Sequence, residues 1–224
     1  MNNMKYLLLP LFAAATLLVA CGETTQEGPK ASATQGETVQ TSVEDGVYVL
    51  NKVKPKVTWS AQKLTGDGHN GTLHIETGKF RVQDGQIAEG MVIFDMKRIA
   101  VSDLQGEKKE SLEGHLRSGD FFNVETHPQA VLSVSDVTEA ANGKAQLNAT
   151  LTMNGEAVDY TIPVEVVVAD IPGDTKGLAI QGKFRLDRTK HNITYRSETF
   201  DDKLDWFIKD EVELGFSVLG VPTM

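Results

Sequence analysis

From Val47 onward, apolar and polar residues alternate with period two along most of the chain. Leu147, Ala149, Leu151 and Met153 alternate with Asn148, Thr150 and Thr152; Ile180, Gly182, Phe184 and Leu186 alternate with Gln181, Lys183, Arg185 and Asp187. Val212, Leu214, Phe216 and Val218 repeat the pattern against Glu211, Glu213, Gly215 and Ser217. Val57, Trp59 and Ala61 do so against Thr58, Ser60 and Gln62. Successive strand side chains point to opposite faces, so each run predicts an antiparallel strand with one buried and one wet face. Asp84-Gly85, Asn142-Gly143 and Asn154-Gly155 are dipeptides that accept positive φ, as two-residue hairpin turns require. They join 79–83 to 86–97, 131–140 to 144–153, and 144–153 to 157–169. The reading is all-β: an up-and-down antiparallel meander of about eight to ten strands.

Two segments break the alternation. Lys108 to Arg117 sets Leu112 and Leu116 four apart among Glu and Lys, which predicts a short amphipathic helix. Asp202 to Lys209 carries Leu204, Phe207 and Ile208 at helical spacing and predicts a second. Met91-Val92-Ile93-Phe94 is apolar on both faces, so its inward side is open, and Gly90 marks a candidate bulge. A meander of this length must close or stack to protect its edges. A closed barrel is preferred to a two-sheet sandwich, which would show the same alternation. Both helical segments are expected to cap the barrel's open end.

The N-terminus has a different pattern. Lys5 precedes an uncharged apolar run from Tyr6 to Val19, shorter than the roughly 20 residues of a membrane span and shaped like an export signal. The single cysteine of the chain, Cys21, stands where that run ends, in Leu18-Val19-Ala20-Cys21-Gly22. Small residues before it resemble the lipobox of bacterial lipoproteins, in which the thiol takes a diacylglycerol and becomes the first residue. The expected organisation is a lipoprotein signal peptide at 1–20, a flexible tether at 21–46 and a β-barrel domain at 47–224. The tether is rich in Thr and Gly, with Pro29 and with Val39 and Val43 its only larger aliphatics, too little apolar surface to offset ordering. As a coil it would hold the domain roughly 25–30 Å from a bilayer.

Composition narrows the partners. Removing 1–20 takes away one charge, Lys5, and moves the net charge from −9 to −10. That balance argues against nucleic acid, which needs clustered Lys and Arg. With Cys21 acylated no disulfide is available, so stability must come from a core. Gly22, rather than Asp, after Cys21 favours the outer membrane by the lipoprotein sorting rule. The expected location is therefore the bacterial cell envelope, with the domain facing periplasm or cell surface.

No catalytic or metal-ligating pattern occurs. The histidines are His69, His74, His115, His127 and His191, with no His-x-x-x-His, no Cys-x-x-Cys and no Gly-x-Ser-x-Gly. Gly66-Asp67-Gly68-His69-Asn70-Gly71 is glycine-dense but lacks the Lys of a phosphate loop, and Asp170 to Gly177 lacks the spacing of a calcium loop. The large apolar side chains are the informative ones: Trp59, Phe94, Met96, Phe121 and Phe122, with Leu132, Leu151, Met153, Phe184 and Phe216. On inward faces they would line a cavity that needs few polar groups.

Leu116-Arg117-Ser118-Gly119-Asp120-Phe121-Phe122-Asn123-Val124, followed by His127-Pro128-Gln129-Ala130-Val131-Leu132, resembles the YceI-like family. Leu151-Thr152-Met153-Asn154-Gly155, Phe184-Arg185-Leu186-Asp187-Arg188, Gly68-His69-Asn70-Gly71 and Ile93-Phe94-Asp95-Met96 match in the family order. After Asp187-Arg188 the chain reads Thr189-Lys190-His191-Asn192-Ile193, without the Phe-Gly often found there. The resemblance implies an extended lipocalin-like antiparallel up-and-down barrel with one or two short helices. Its apolar tunnel would hold a polyisoprenoid or similar long-chain lipid, with no catalysis and no obligatory cofactor. The expected partners are that lipid and, through the acyl anchor, a membrane; a homodimer is left open. Two other readings remain: an envelope interaction module with a self-filled core, and an enzyme acting on a lipid headgroup through His69 or His115.

Overall fold

The computed structural model describes residues 44–51, 56–139, 144–173, 175–200 and 207–223. The leader, Cys21, the tether up to Val43 and the Asn142-Gly143 turn lie outside them. The strands are β1 (Gly46–Leu50), β2 (Lys56–Gln62), β3 (Gly68–Gln83), β4 (Gln86–Val101), β5 (Gln129–Glu139), β6 (Ala145–Met153), β7 (Glu156–Ile171), β8 (Thr175–Asp187) and β9 (Glu211–Pro222). A helix, α1 (Gly106–Arg117), lies between β4 and β5, and a 3-10 turn (Arg188–His191) follows β8.

Each strand from β3 to β9 pairs antiparallel with the next, and β2 closes the circle between β3 and β9. This is a closed barrel of eight staves, and one stave is made in two pieces. β2 pairs with 68–72 of β3 and 213–217 of β9, whereas β1 pairs with 79–82 of β3 and 220–222 of β9. The fold begins slightly before Val47. Gly46 is already paired with Val82, and both Asp45 carboxylate oxygens accept hydrogen bonds from the backbone of the Asp84-Gly85 turn, at 3.0 and 3.1 Å. Those bonds hold the Asp45 carboxyl below its usual range.

Alternation decides which faces are inside. Ala145, Leu147, Ala149, Leu151 and Met153 of β6 are all buried, and the residues between them are half-buried or exposed. Asp84 and Gly85 have φ of 54° and 71°, Asn154 and Gly155 50° and 86°, so both pairs form the tight turns their sequence predicts. The core has two parts. One end gathers Tyr48, Leu50, Phe80, Val82 and Leu178, with the Tyr48 and Phe80 rings stacked at 5.4 Å. The other gathers Trp59, Met96, Val101, Leu116, Phe121 and Ile193.

Three sequence expectations are corrected or completed. Phe207–Lys209, the end of the expected second helix, is extended, and Ile208 bridges to both Lys63 and Ser197; residues 202–206 lie outside the described set. Gly90 pairs regularly with Phe80 and Val134. The nearby irregularity is at Ala88, between the Arg81–Glu89 and Val82–Ile87 pairs. In the doubly apolar run, Val92 and Phe94 face inward opposite Leu132 and Ala130, and Met91 is 43% exposed.

Candidate functional site

Two apolar cavities lie inside the barrel, of ≈ 110 and ≈ 80 Å³. The larger is walled by Phe94, Leu132, Leu151, Phe184 and Phe216 among others, and the smaller by Trp59, Phe121 and Phe122. Met96 and Met153 belong to both walls, as do Leu73 and Leu214. All ten side chains singled out from the sequence thus stand on one wall or the other. The sequence reading missed Val57, Ile75, Phe80 and Leu214, which the same alternation identifies. It also missed Leu116, on the buried face of the expected helix, and Ile193, which follows the 3-10 turn and has no strand alternation to mark it.

The smaller cavity is closed by α1 and the turns after it. Leu116, the buried residue of the helix, contributes to its wall. The helix carries Glu107 in its first turn and Arg117 in its last, charges that suit the helix dipole. The Glu113 carboxylate accepts from the Val101 amide at 2.9 Å, which pins the helix to β4. The helix ends at Ser118, whose hydroxyl donates to the His115 carbonyl at 2.7 Å. The chain then folds tightly back. The Phe122, Asn123 and Val124 amides donate to the Leu116, Ser118 and Arg117 carbonyls, and Asn123 adopts φ 44°. This coil of turns places Phe121 and Phe122 on the cavity wall.

Polar chemistry is kept out of both cavities. Lys79 borders the larger one from an exposed outward position. Arg188 borders the smaller one and is 3% exposed. Its guanidinium donates to the carbonyls of Lys209, Ile193, Tyr195 and Ile208 and to the Asp210 carboxylate, at 2.9 to 3.2 Å. Those five bonds use all five N–H donors of an arginine, leaving none for a ligand. Asp210 also accepts from the Ser197 and Thr199 hydroxyls, both at 2.8 Å. The network is a structural hub that ties residues 188–199 to residues 208–210, and no buried side-chain N or O among the described residues lacks a partner.

The ladder between β7 and β8 runs only from Val164–Gly182 to Ile171–Thr175. Beside the remaining part of β7 sits the 3-10 turn. His191, 0% exposed, contacts the Tyr160 hydroxyl through Nε2 and the Glu156 carbonyl through Nδ1, and its own carbonyl accepts from the Asn154 side-chain Nδ2. The Tyr160 ring in turn packs edge-on against Phe184, a wall residue of the larger cavity. His69 and His115, the candidate acid–base groups, stand elsewhere. Each pairs with a carboxylate, Asp103 at 2.8 Å and Asp120 at 2.9 Å, and neither borders a cavity. Among the described residues no group of three or more side chains is placed to hold a metal ion, and no helix is long and apolar enough to cross a membrane.

Residues 48–219 match the YceI-like domain family. UPF0312 protein VPA0850 of Vibrio parahaemolyticus serotype O3:K6 is 26% identical over 99 residues, covering 44% of this chain and 50% of that protein. The chain therefore spans about half the length of the curated relative it matches. Among solved structures, Burkholderia cenocepacia BcnA superposes with a TM-score of 0.59 at 19% identity, over 76% of this chain and 98% of BcnA. A polyisoprenoid binding domain from Saccharophagus degradans, implicated in plant cell wall breakdown, does so with a TM-score of 0.54 at 12% identity, over 79% and 98%. At these identities the two structures share the fold.

Proposed function

The chain belongs to the YceI-like family, and on that premise we propose that its barrel binds a polyisoprenoid or similar long-chain lipid, for sequestration, storage or local exchange beside a membrane. One observation carries this reading: two apolar cavities inside a closed barrel share four wall residues, and both bordering cations are turned away or fully occupied. Such a site offers hydrocarbon burial and little else. At about 0.8 kcal/mol per buried methylene, ten of them supply about 8 kcal/mol before ordering costs, the scale of micromolar binding. The Saccharophagus domain of the same fold is described as binding polyisoprenoid, which makes that chain class the first to try.

In the same proposal, Cys21 is acylated after removal of residues 1–20 and holds the barrel to the outer membrane of a bacterial envelope. A single acyl chain gives marginal attachment, whereas the three of a mature lipoprotein anchor it stably. No catalytic step is assigned.

A second reading draws on the cavity sizes. Together they little exceed the ~150 Å³ that accepts one benzene ring, so a long chain enters only if wall side chains change rotamer. A barrel that never makes that change is a self-filled interaction module. Organic extraction of the purified protein followed by mass spectrometry, with uptake of an added polyprenyl alcohol as the second arm, separates the two. Recovery of a stoichiometric lipid or saturable uptake supports lipid binding; neither, in repeated preparations, removes it.

A further inference from the structure

We propose that Met96 and Met153 set the length of hydrocarbon chain this barrel accepts, by forming a deformable waist between its two cavities. The inference rests on the lipid-binding reading above and adds a selectivity to it. Met96 on β4 and Met153 on β6 flank β5, and Leu73 on β3 and Leu214 on β9 carry the ring round to the other side of the barrel. Among the described residues, these four are the wall residues that both cavities touch. A chain occupying one cavity reaches the other only by passing between them.

The residue types give the waist its character. Both methionines are buried, at 2% and 7% exposure, in a core otherwise built largely from branched aliphatic and aromatic side chains. An unbranched thioether with three rotatable bonds moves aside at lower steric cost than a γ-branched leucine of similar volume. Met96 is further held where β4 departs from the regular ladder with β3, its amide donating to the Pro128 carbonyl at 2.9 Å. The waist is therefore soft in its side chains and fixed in its backbone. A short chain fills one cavity with no rearrangement, and a longer one must displace both thioethers before it gains the second cavity.

The test is a length series: n-alcohols of increasing chain length, with geraniol, farnesol and geranylgeraniol, titrated calorimetrically into the delipidated protein. In the wild type, affinity is expected to rise with length, flatten once one cavity is full, and rise again beyond it. Met153→Ala opens the waist and is expected to remove the plateau, raising the long-to-short affinity ratio about tenfold, the worth of two further buried methylenes. Met96→Leu with Met153→Leu keeps the volume but stiffens the ring, a change that cores tolerate well. It is expected to lower the same ratio about tenfold and leave short chains unchanged. Val218→Ala enlarges only the larger cavity and serves as the comparison. A wild-type curve without a plateau, or a Val218→Ala curve that matches Met153→Ala, overturns the waist while leaving lipid binding intact. Failure of the wild type to bind any alcohol overturns both.

Discussion

His191 Nε2 lies 3.0 Å from the Tyr160 hydroxyl, beside the part of β7 that has no ladder partner in β8. Side-chain hydrogen bonds thus stand where main-chain ones are missing, and the pair gives the barrel a pH dependence. Burial is the largest influence on His191 and pushes its pKa below the usual 6.5, against the backbone carbonyls of Glu156 and Met153. The unfolded chain therefore binds the proton more readily. The stabilisation is complete above pH 6.5 and is lost as pH falls from there toward the folded-state value. The Tyr160 phenol is pushed up to about 12, by burial first and the Asp187 charge second. Its contribution is complete below pH 10 and is lost as pH rises through about 12. The expected melting temperature falls on both sides of a neutral plateau. His191→Gln should flatten the acid limb below about pH 6.5 and leave the alkaline one; an unchanged acid limb would reject the assignment.

Arg188 donates to five acceptors at once, four carbonyls and the Asp210 carboxylate. Arg188→Lys supplies three donors on a flexible stem in place of a five-donor fork. It keeps the charge but leaves buried carbonyls without a donor, at about 1–3 kcal/mol for each. Urea denaturation is the measurement. A loss below about 1 kcal/mol, the scale of an exposed pair, would show that solvent already reaches the hub.

Gly71 permits a close approach of strands. A Cβ at this position would lie 1.8 Å from the Ala100 carbonyl oxygen and 2.6 Å from the Trp59 indole, whose Nε1 donates to that same carbonyl at 3.2 Å. Gly71→Ala is expected to push the Ala100 carbonyl away from β3 and to displace the indole bonded to it, at a cost of about 3 kcal/mol or more, the upper range of overpacking. Near-UV circular dichroism should lose part of its tryptophan signal. Unchanged spectra and unchanged stability would contradict this packing.

Cys21→Ser tests the anchor separately from the barrel. In cells given labelled palmitate, the wild type should incorporate label and sediment with membranes, and the variant should do neither while keeping the same melting temperature. Label retained by Cys21→Ser would place acylation elsewhere.

Much of the barrel is legible in the sequence because one inner and one outer face leave a period-two signature. The turns are legible because Asp84-Gly85 and Asn154-Gly155 adopt the positive φ that few residues accept. The same alternation marks the cavity walls, so aromatic residues chosen by strand face fall where they do. The two segments that meet at the Arg188 hub, 188–200 and 207–210, are not legible in this way. The spacing of Leu204, Phe207 and Ile208 is helical, yet the Ile208 and Lys209 carbonyls are needed as acceptors by Arg188, and Ile208 bridges two other segments. Backbone acceptors leave no mark on residue type, so a hub built on them cannot be read from composition or period. The Ala88 irregularity escapes for a related reason, since alanine needs no special conformation to sit in a bulge.

The divided stave has a mechanical consequence. β1 is five residues long, held between β3 and β9, and is reached directly from the chain ahead of Glu44. Any pull from that side loads β1 first, through the Asp45 bonds to the hairpin turn and the pairs that Val47, Tyr48 and Val49 make with β3. Leu50, its last residue, is part of the wall of the larger cavity. Tension at the N-terminal side is thus transmitted to the cavity itself, and peeling five residues, not unfolding eight staves, is what would breach it.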